Sequence, residues 1–205
     1  GGEFLRVHGP RFERFAHLRT FPLPGGDAAA REPRRAALGL LFELFGPPVF
    51  GMTDLPPLQA FSAEELAVLR QMLERNVNCP RSSGAGRLFD AVSSLIGLRQ
   101  VCSFEGQAAM ALEFAAREAD DPDAETAYPF VLVESARPDG PRVADWAPMV
   151  RNIILDLKNK NSSGNISENF HNALVEMIAS AAARAGESRV VLTGGCFQNR
   201  LLIER

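Results

Sequence analysis

The sequence predicts a mixed α/β fold dominated by helices, and three observations carry that prediction. Near the C-terminus, Val190-Val191-Leu192 is apolar and mostly β-branched, which reads as a short buried strand. Gly194-Gly195 stops it, and residues 198–205 have helical spacing with Leu201 and Leu202 on one side. In the middle, apolar residues recur three and four apart between capping residues, glycines and prolines. At the start, residues 4–7 and 14–19 alternate as strands do. A chain of 205 residues, 46% of them hydrophobic, supplies a core for one large domain or two small ones.

From the N-terminus, the two strands flank His8-Gly9-Pro10, so residues 1–20 form a hairpin. Residues 21–27 (FPLPGGD) are a loop, dense in Pro and Gly. Asp27 stands where it caps a helix over 28–45 with Ala37, Leu40, Leu41 and Leu44 inward, ended by Gly46-Pro47-Pro48. Ser62-Ala63-Glu64-Glu65 is a capping box, opening a helix to about residue 75 with Leu66, Leu69, Met72 and Leu73 inward. The small-residue stretch 81–90 (RSSGAGRLFD) enters a helix whose apolar face is Leu88, Val92, Leu95 and Ile96. That leaves Asp90 on another face, and Gly97 closes the helix. Phe104-Glu105-Gly106-Gln107 introduces a helix over 108–117 that aligns Ala109, Leu112 and Ala116. Residues 120–125 are an acidic surface linker, 130–133 a strand, and Asp145 the cap of a helix over 145–157. The polar stretch 158–165 reads as a mobile loop. Ser167 then caps a helix to about residue 185, with Phe170, Leu174, Ile178 and Ala181 or Ala182 inward and Gly186 at its end. The helical part is thus 28–120, and 129–205 runs strand, helix, strand.

Composition excludes several classes. With a net charge of −3 nothing electrostatic suggests a nucleic-acid surface, and the run Arg31-Glu32-Pro33-Arg34-Arg35 is broken by Glu and Pro, as in a solvated helix start. Cys79, Cys102 and Cys196 are odd in number and share no short spacing, which argues against a disulfide framework or a cysteine zinc site and fits a reducing cytoplasm. No apolar run approaches the roughly 18 residues of a membrane span. The chain opens at Gly1 without methionine and closes at Glu204-Arg205 inside a growing helix, so it is expected to be a piece of a longer polypeptide.

Three glycine-bearing turns each precede a helix: Gly84-Ala85-Gly86, Glu105-Gly106 and Gly194-Gly195. Bare backbone admits a flat ligand, and helix N-termini offer N–H groups to phosphate, ribose or base. Asp90 has two acceptor oxygens for ribose hydroxyls, and Asn199 has a donor and an acceptor for a ribose or an adenine edge. Taken singly, each also reads as an ordinary turn glycine or a solvated side chain; together they favour a nucleotide. His8 and His17 read as hairpin surface residues and His171 as a packing or capping residue, because no HxxxH or HExxH spacing joins them. There is no G-x-S-x-G elbow and no Ser–His–Asp order. Cys196 stands at a helix start, where a thiol pKa can fall, but reads first as a small residue packed beneath the glycine turn. No metal site assembles from these residues.

Residues 31–40 (REPRRAALGL), 84–97 (GAGRLFDAVSSLIG), 104–110 (FEGQAAM) and 192–202 (LTGGCFQNRLL), with Gly25-Gly26-Asp27 after a proline, resemble in this order the C-terminal part of the HypF-type hydrogenase-maturation carbamoyltransferases. The resemblance spans essentially the whole chain. It implies a partial actin-like (ribonuclease-H-like) ATPase fold with a helix-rich middle, related to the tRNA threonylcarbamoyl-transferase catalytic subunits. It further implies that Gly194, Gly195 and Asn199 contact adenosine, Asp90 the ribose, and Gly106 the nucleotide at the next helix start. Gly84, Gly86 and Glu105 would line the site, with Arg87 against carbamoyl or phosphate oxygens. The implied reaction takes carbamoyl phosphate and ATP, forms carbamoyl-adenylate, and passes the carbamoyl group to the C-terminal cysteine of a HypE-type partner, on the way to the cyanide ligand of a nickel–iron centre. The family's divalent-metal ligands fall before residue 1 and beyond residue 205, so this chain alone is expected to be inactive. Two other readings stay open: a carbamoyltransferase of antibiotic biosynthesis, which shares this domain type, and a non-catalytic docking module.

Overall fold

In a computed structural model, the chain is described over residues 2–121, 126–135, 137 and 140–205. In chain order the first elements are β1 (Glu3–His8), β2 (Arg11–Leu18), β3 (Phe21–Pro22), α1 (Ala28–Arg31), α2 (Pro33–Phe45), α3 (Pro56–Gln59) and α4 (Ala63–Arg75). There follow β4 (Arg81–Ser82), α5 (Ala85–Leu95), α6 (Gln107–Ala116), β5 (Val131–Val133), β6 (Arg142–Asp145), α7 (Ala147–Lys158), α8 (Ser163–Ala185) and α9 (Arg200–Glu204). Two units emerge: Gly1–Arg19 with Ser83–Ala85 and Glu113–Arg205, and Thr20–Ser82 with Gly86–Leu112.

The first unit holds a four-stranded sheet in the order β1-β2-β6-β5. The expected hairpin is present, antiparallel, with Gly9 at φ +59° in its turn. Strand β6, unforeseen from local pattern, runs parallel to β2 and antiparallel to β5. Four residues with Arg and Asp at their ends carry no alternation, and a parallel partner so distant in sequence leaves no local signal. Asp145 is the last residue of β6 rather than the first of a helix, yet its Oδ1 accepts the Ala147 N–H at 2.9 Å, so it still serves the start of α7. Trp146 between them is fully buried and donates its indole N–H to the Arg19 carbonyl at 2.6 Å.

Ser162, not Ser167, caps the long helix, accepting the Asn165 N–H at 3.1 Å. Residues 163–165 of the supposed loop are therefore the first turn of α8, and Ser167 lies buried inside it. Polarity misled because Ser, Gly and Asn suit loops and helix starts alike. Gly164 is there for packing: a Cβ would sit 2.8 Å from the Glu118 carbonyl. The inward residues are Phe170, Leu174, Met177 and Ala181, with Ile178 half-buried, and Gly186 at φ +70° ends the helix.

Val190-Val191-Leu192, expected as a strand, is none: it is irregular and exposed, Val191 at 84%. A strand needs a neighbour to satisfy its backbone, and among the described residues this segment pairs with none. Nor is 198–205 one helix. A 3₁₀ turn over Gly195–Gln198 is followed by Asn199 as the N-cap of α9, which buries Leu202. Of the expected acidic linker, positions 122–125 lie outside the described residues.

In the second unit, the helix expected over 28–45 is two. Glu32 breaks it at φ −119°, ψ 83°, because the residue before a proline is pushed out of the α region. Asp27 occupies the N-cap position but makes no side-chain cap bond. Helix α2 buries Ala36 through Leu41 continuously, with Leu44 only half-buried. Phe21–Pro22, expected as loop, pairs antiparallel with Arg81–Ser82. The capping box is as expected: Ser62 accepts the Glu65 N–H, and the Glu65 carboxylate accepts the Ser62 N–H at 2.8 Å. Leu69 and Leu73 are buried beneath α4. Helix α5 is enclosed on all sides from Leu88 to Leu95, Asp90 included. Helix α6, whose residues from Glu113 onward belong to the first unit, buries Ala108, Leu112, Ala115 and Ala116, with Ala108 in place of the expected Ala109.

Candidate functional site

Helix α5 sets Arg87 and Asp90 one turn apart, so that Arg87 Nη2 lies 2.9 Å from Asp90 Oδ2. Asp90 is 4% exposed, which excludes the solvated-residue reading. Burial pushes its pKa up to about 6, against the pull of the Arg87 guanidinium and with a smaller push from Glu105. Despite the ion pair, Asp90 Oδ2, Arg87 Nη1 and Ser93 Oγ are buried without a hydrogen-bond partner. Positions 87, 90 and 93 follow one another at three-residue steps along α5. An unsatisfied buried polar group costs about 1–3 kcal/mol, so these atoms call for partners that the surrounding side chains do not supply. Sequence reasoning missed Ser93; its three-residue spacing from Asp90 was the available signal.

The glycines separate into those the protein itself requires and those it does not. Gly106 has φ +83° and Gly194 φ +102°, conformations that favour glycine. Gly86 and Gly195 have neither a positive φ nor any atom within 4 Å of a built Cβ. Neither conformation nor packing explains glycine there. Gly84 is half-buried just before α5, and Glu105 is exposed.

In the other unit, Asn199 is 7% exposed and is held at both ends of its side-chain amide. Its Oδ1 accepts the N–H groups of Leu201 and Leu202 at 3.1 and 3.4 Å, and its Nδ2 lies 2.9 Å from His171 Nε2. His171, wholly buried, places Nδ1 2.7 Å from the Ser167 carbonyl. Burial lowers its pKa to about 4, so the ring is neutral at ordinary pH. The neighbouring Glu168 pairs with Arg205, which also reaches Asn172. Burial pushes the Cys196 thiol up, so it is no activated thiolate. His8 is exposed and His17 half-buried on the hairpin. Arg87, Asp90 and Glu105 thus gather in one unit, and Gly194, Gly195 and Asn199 in the other. Among the described residues, no group of three or more His, Cys, Asp or Glu could hold a metal ion. No described helix is long and apolar enough to cross a membrane.

A family model described as the carbamoyltransferase Kae1-like domain, second subdomain, matches residues 1–205. A carbamoyltransferase HypF of Synechocystis is 34% identical over 99% of this chain and 27% of its own length. A carbamoyltransferase HypF homolog of Cupriavidus necator is 37% identical over 98% of this chain and 51% of its own. The chain therefore spans a quarter to a half of these relatives. Among solved structures, a full-length HypF in its phosphate- and nucleotide-bound form superposes with a TM-score of 0.84 at 33% identity, covering 98% of this chain and 30% of that one. The HypF of T. kodakarensis gives a TM-score of 0.77 at 28% identity.

Proposed function

Since the chain belongs to the carbamoyltransferase Kae1-like family, as its second subdomain, we propose that it is the nucleotide-binding portion of a hydrogenase-maturation carbamoyltransferase. Asp90 accepts the ribose hydroxyls; Gly106, Gly194 and Gly195 let the nucleotide approach bare backbone; and Asn199 contacts the adenosine. Gly84, Gly86 and Glu105 line the site, and Arg87 meets carbamoyl or phosphate oxygens. The observation that carries this reading is the buried Asp90 Oδ2, which is ion-paired with Arg87 but makes no aligned hydrogen bond with the protein and would accept one from a ribose hydroxyl. The glycines that nothing else explains, Gly86 and Gly195, support it. So does the nucleotide in the matched HypF structure.

In the intact enzyme, ATP and carbamoyl phosphate supply the activated carbamoyl group as carbamoyl-adenylate, and the acceptor is the C-terminal cysteine of a HypE-type protein. A divalent metal belongs to this reading too, with its ligands outside this chain. The setting is cytoplasmic, without membrane or nucleic acid.

Titration calorimetry of ATP against the full-length protein tests the assignment. Asp90→Ala and Asn199→Ala should each weaken binding by about 1–3 kcal/mol; normal binding by both variants removes the assignment. Arg87→Ala should lower turnover more than ATP affinity. The guanidinium also holds the Asp90 carboxyl down, so the affinity loss should grow as pH falls toward the Asp90 pKa. Equal, pH-independent losses in turnover and affinity would remove that role from Arg87.

A further inference from the structure

We propose that His171 is a positioning residue for nucleotide recognition: it fixes the Asn199 amide so that Asn199 meets its ligand as an N–H donor. The inference rests on the reading of Asn199 as a nucleotide contact.

The hydrogen bonds determine each orientation in turn. Asn199 Oδ1 faces two backbone N–H groups, of Leu201 and Leu202. A flipped amide would set NH₂ against those donors, so the oxygen must be on that side. Nδ2 then faces His171 Nε2 at 2.9 Å and must donate, so Nε2 must accept. The ring proton therefore sits on Nδ1, where it meets the Ser167 carbonyl at 2.7 Å. Each assignment requires the next, and all of them agree. His171 is wholly buried, so no water competes for Nε2, and burial keeps the ring in the neutral form that can accept.

One hydrogen of the Asn199 amide remains. With Oδ1 spent on the α9 cap, a ligand contact through this side chain must offer an acceptor, such as a ribose oxygen or a ring nitrogen of the base. Sequence reading left Asn199 free to act as donor or acceptor; the structure assigns it the first. The His171–Asn199 bond joins residues 28 apart, and no spacing rule would have linked them.

A double-variant cycle in the full-length protein tests the proposal, with ATP affinity and the melting midpoint read for every variant. His171→Asn keeps a donor near the Nδ1 position for Ser167 but offers Asn199 no acceptor; it should weaken ATP binding about tenfold. His171→Gln carries Oε1 near the Nε2 position and should restore most of that affinity. In an Asn199→Ala background, His171→Asn should cost nothing more, because the coupled partner is gone. A lowered midpoint with unchanged ATP affinity would make His171 a packing residue and overturn the proposal, as would additive losses in the double variant. Normal ATP binding by Asn199→Ala alone would instead overturn the nucleotide reading beneath it. Should His171→Asn not fold, histidine-selective ¹⁵N spectra of the wild type decide. An unprotonated Nε2 whose shift moves on adding ATP supports the linkage; a protonated or unresponsive Nε2 refutes it.

Discussion

Gly39→Ala should destabilise the unit containing α2 by about 3 kcal/mol or more, a large effect for adding one methyl group. The sign is the informative part. In an ordinary helix interior the same change gains about 1 kcal/mol, because alanine is the better helix former. Gly39 has no positive φ to protect, so helix propensity alone predicts a gain. Packing reverses it. A Cβ at residue 39 would stand 1.8 Å from the Pro22 carbonyl oxygen, 3.0 Å from its carbon and 3.2 Å from Pro24 Cδ. The first two are backbone atoms, and Phe21–Pro22 is held by pairing with Arg81–Ser82. No rotamer can relieve the clash, so α2 must back away from β3 and loosen the core under Leu38, Leu40 and Leu41, all fully buried. Gly86→Ala is the control, since a Cβ there meets nothing within 4 Å. It should leave the melting midpoint unchanged or raised while lowering ATP affinity. Unchanged stability in Gly39→Ala, measured by denaturant unfolding, would contradict this account of the α2–β3 contact.

The features legible in the sequence were those whose cause is local. The capping box at Ser62 and Glu65, the hairpin turn at Gly9 and the helix stops at Gly46 and Gly186 each follow from the chemistry of a few adjacent residues, and all are present. What failed depended on distant partners. Val190-Val191-Leu192 has the composition of a strand but no neighbour among the described residues, whereas Arg142–Asp145 lacks that composition and is a strand because β2 and β5 flank it. Asp90 shows the same limit at the site. Periodicity placed it off the apolar face of α5, which was right, but could not reveal that its own face is covered as well. Burial changes what the residue is: on a solvated face it would be a plain anion, whereas here desolvation pushes its pKa up to about 6.

Asp90→Asn should therefore make the folded protein more stable near neutral pH while impairing nucleotide binding. Burial raises the Asp90 pKa from 3.8 to about 6 in the fold. A carboxyl whose folded pKa lies above its unfolded value contributes stability below the unfolded pKa and loses it as pH rises through the folded one. Relative to the wild type, the advantage of Asp90→Asn should grow by about 3 kcal/mol between roughly pH 4 and pH 7. The nucleotide acts in the opposite sense. Ribose hydroxyls donate to the ionised carboxylate, so binding favours the charge that the empty fold resists, and ATP affinity should fall as pH drops below about 6. Binding near that pH should release a proton, seen as a calorimetric heat that changes with the ionisation enthalpy of the buffer. Asp90→Asn should lack both the pH dependence and the proton. His171 supplies an internal contrast of opposite sign. Its pKa falls from 6.5 to about 4, so its contribution is present above the unfolded value and is lost as pH falls through the folded one. Over the same interval the two residues oppose each other, and a nearly flat wild-type profile would conceal both; the single variants should uncover slopes of opposite direction. An Asp90→Asn protein with wild-type pH dependence in both stability and ATP affinity would show that the buried carboxylate is neither a cost to the fold nor the nucleotide's partner.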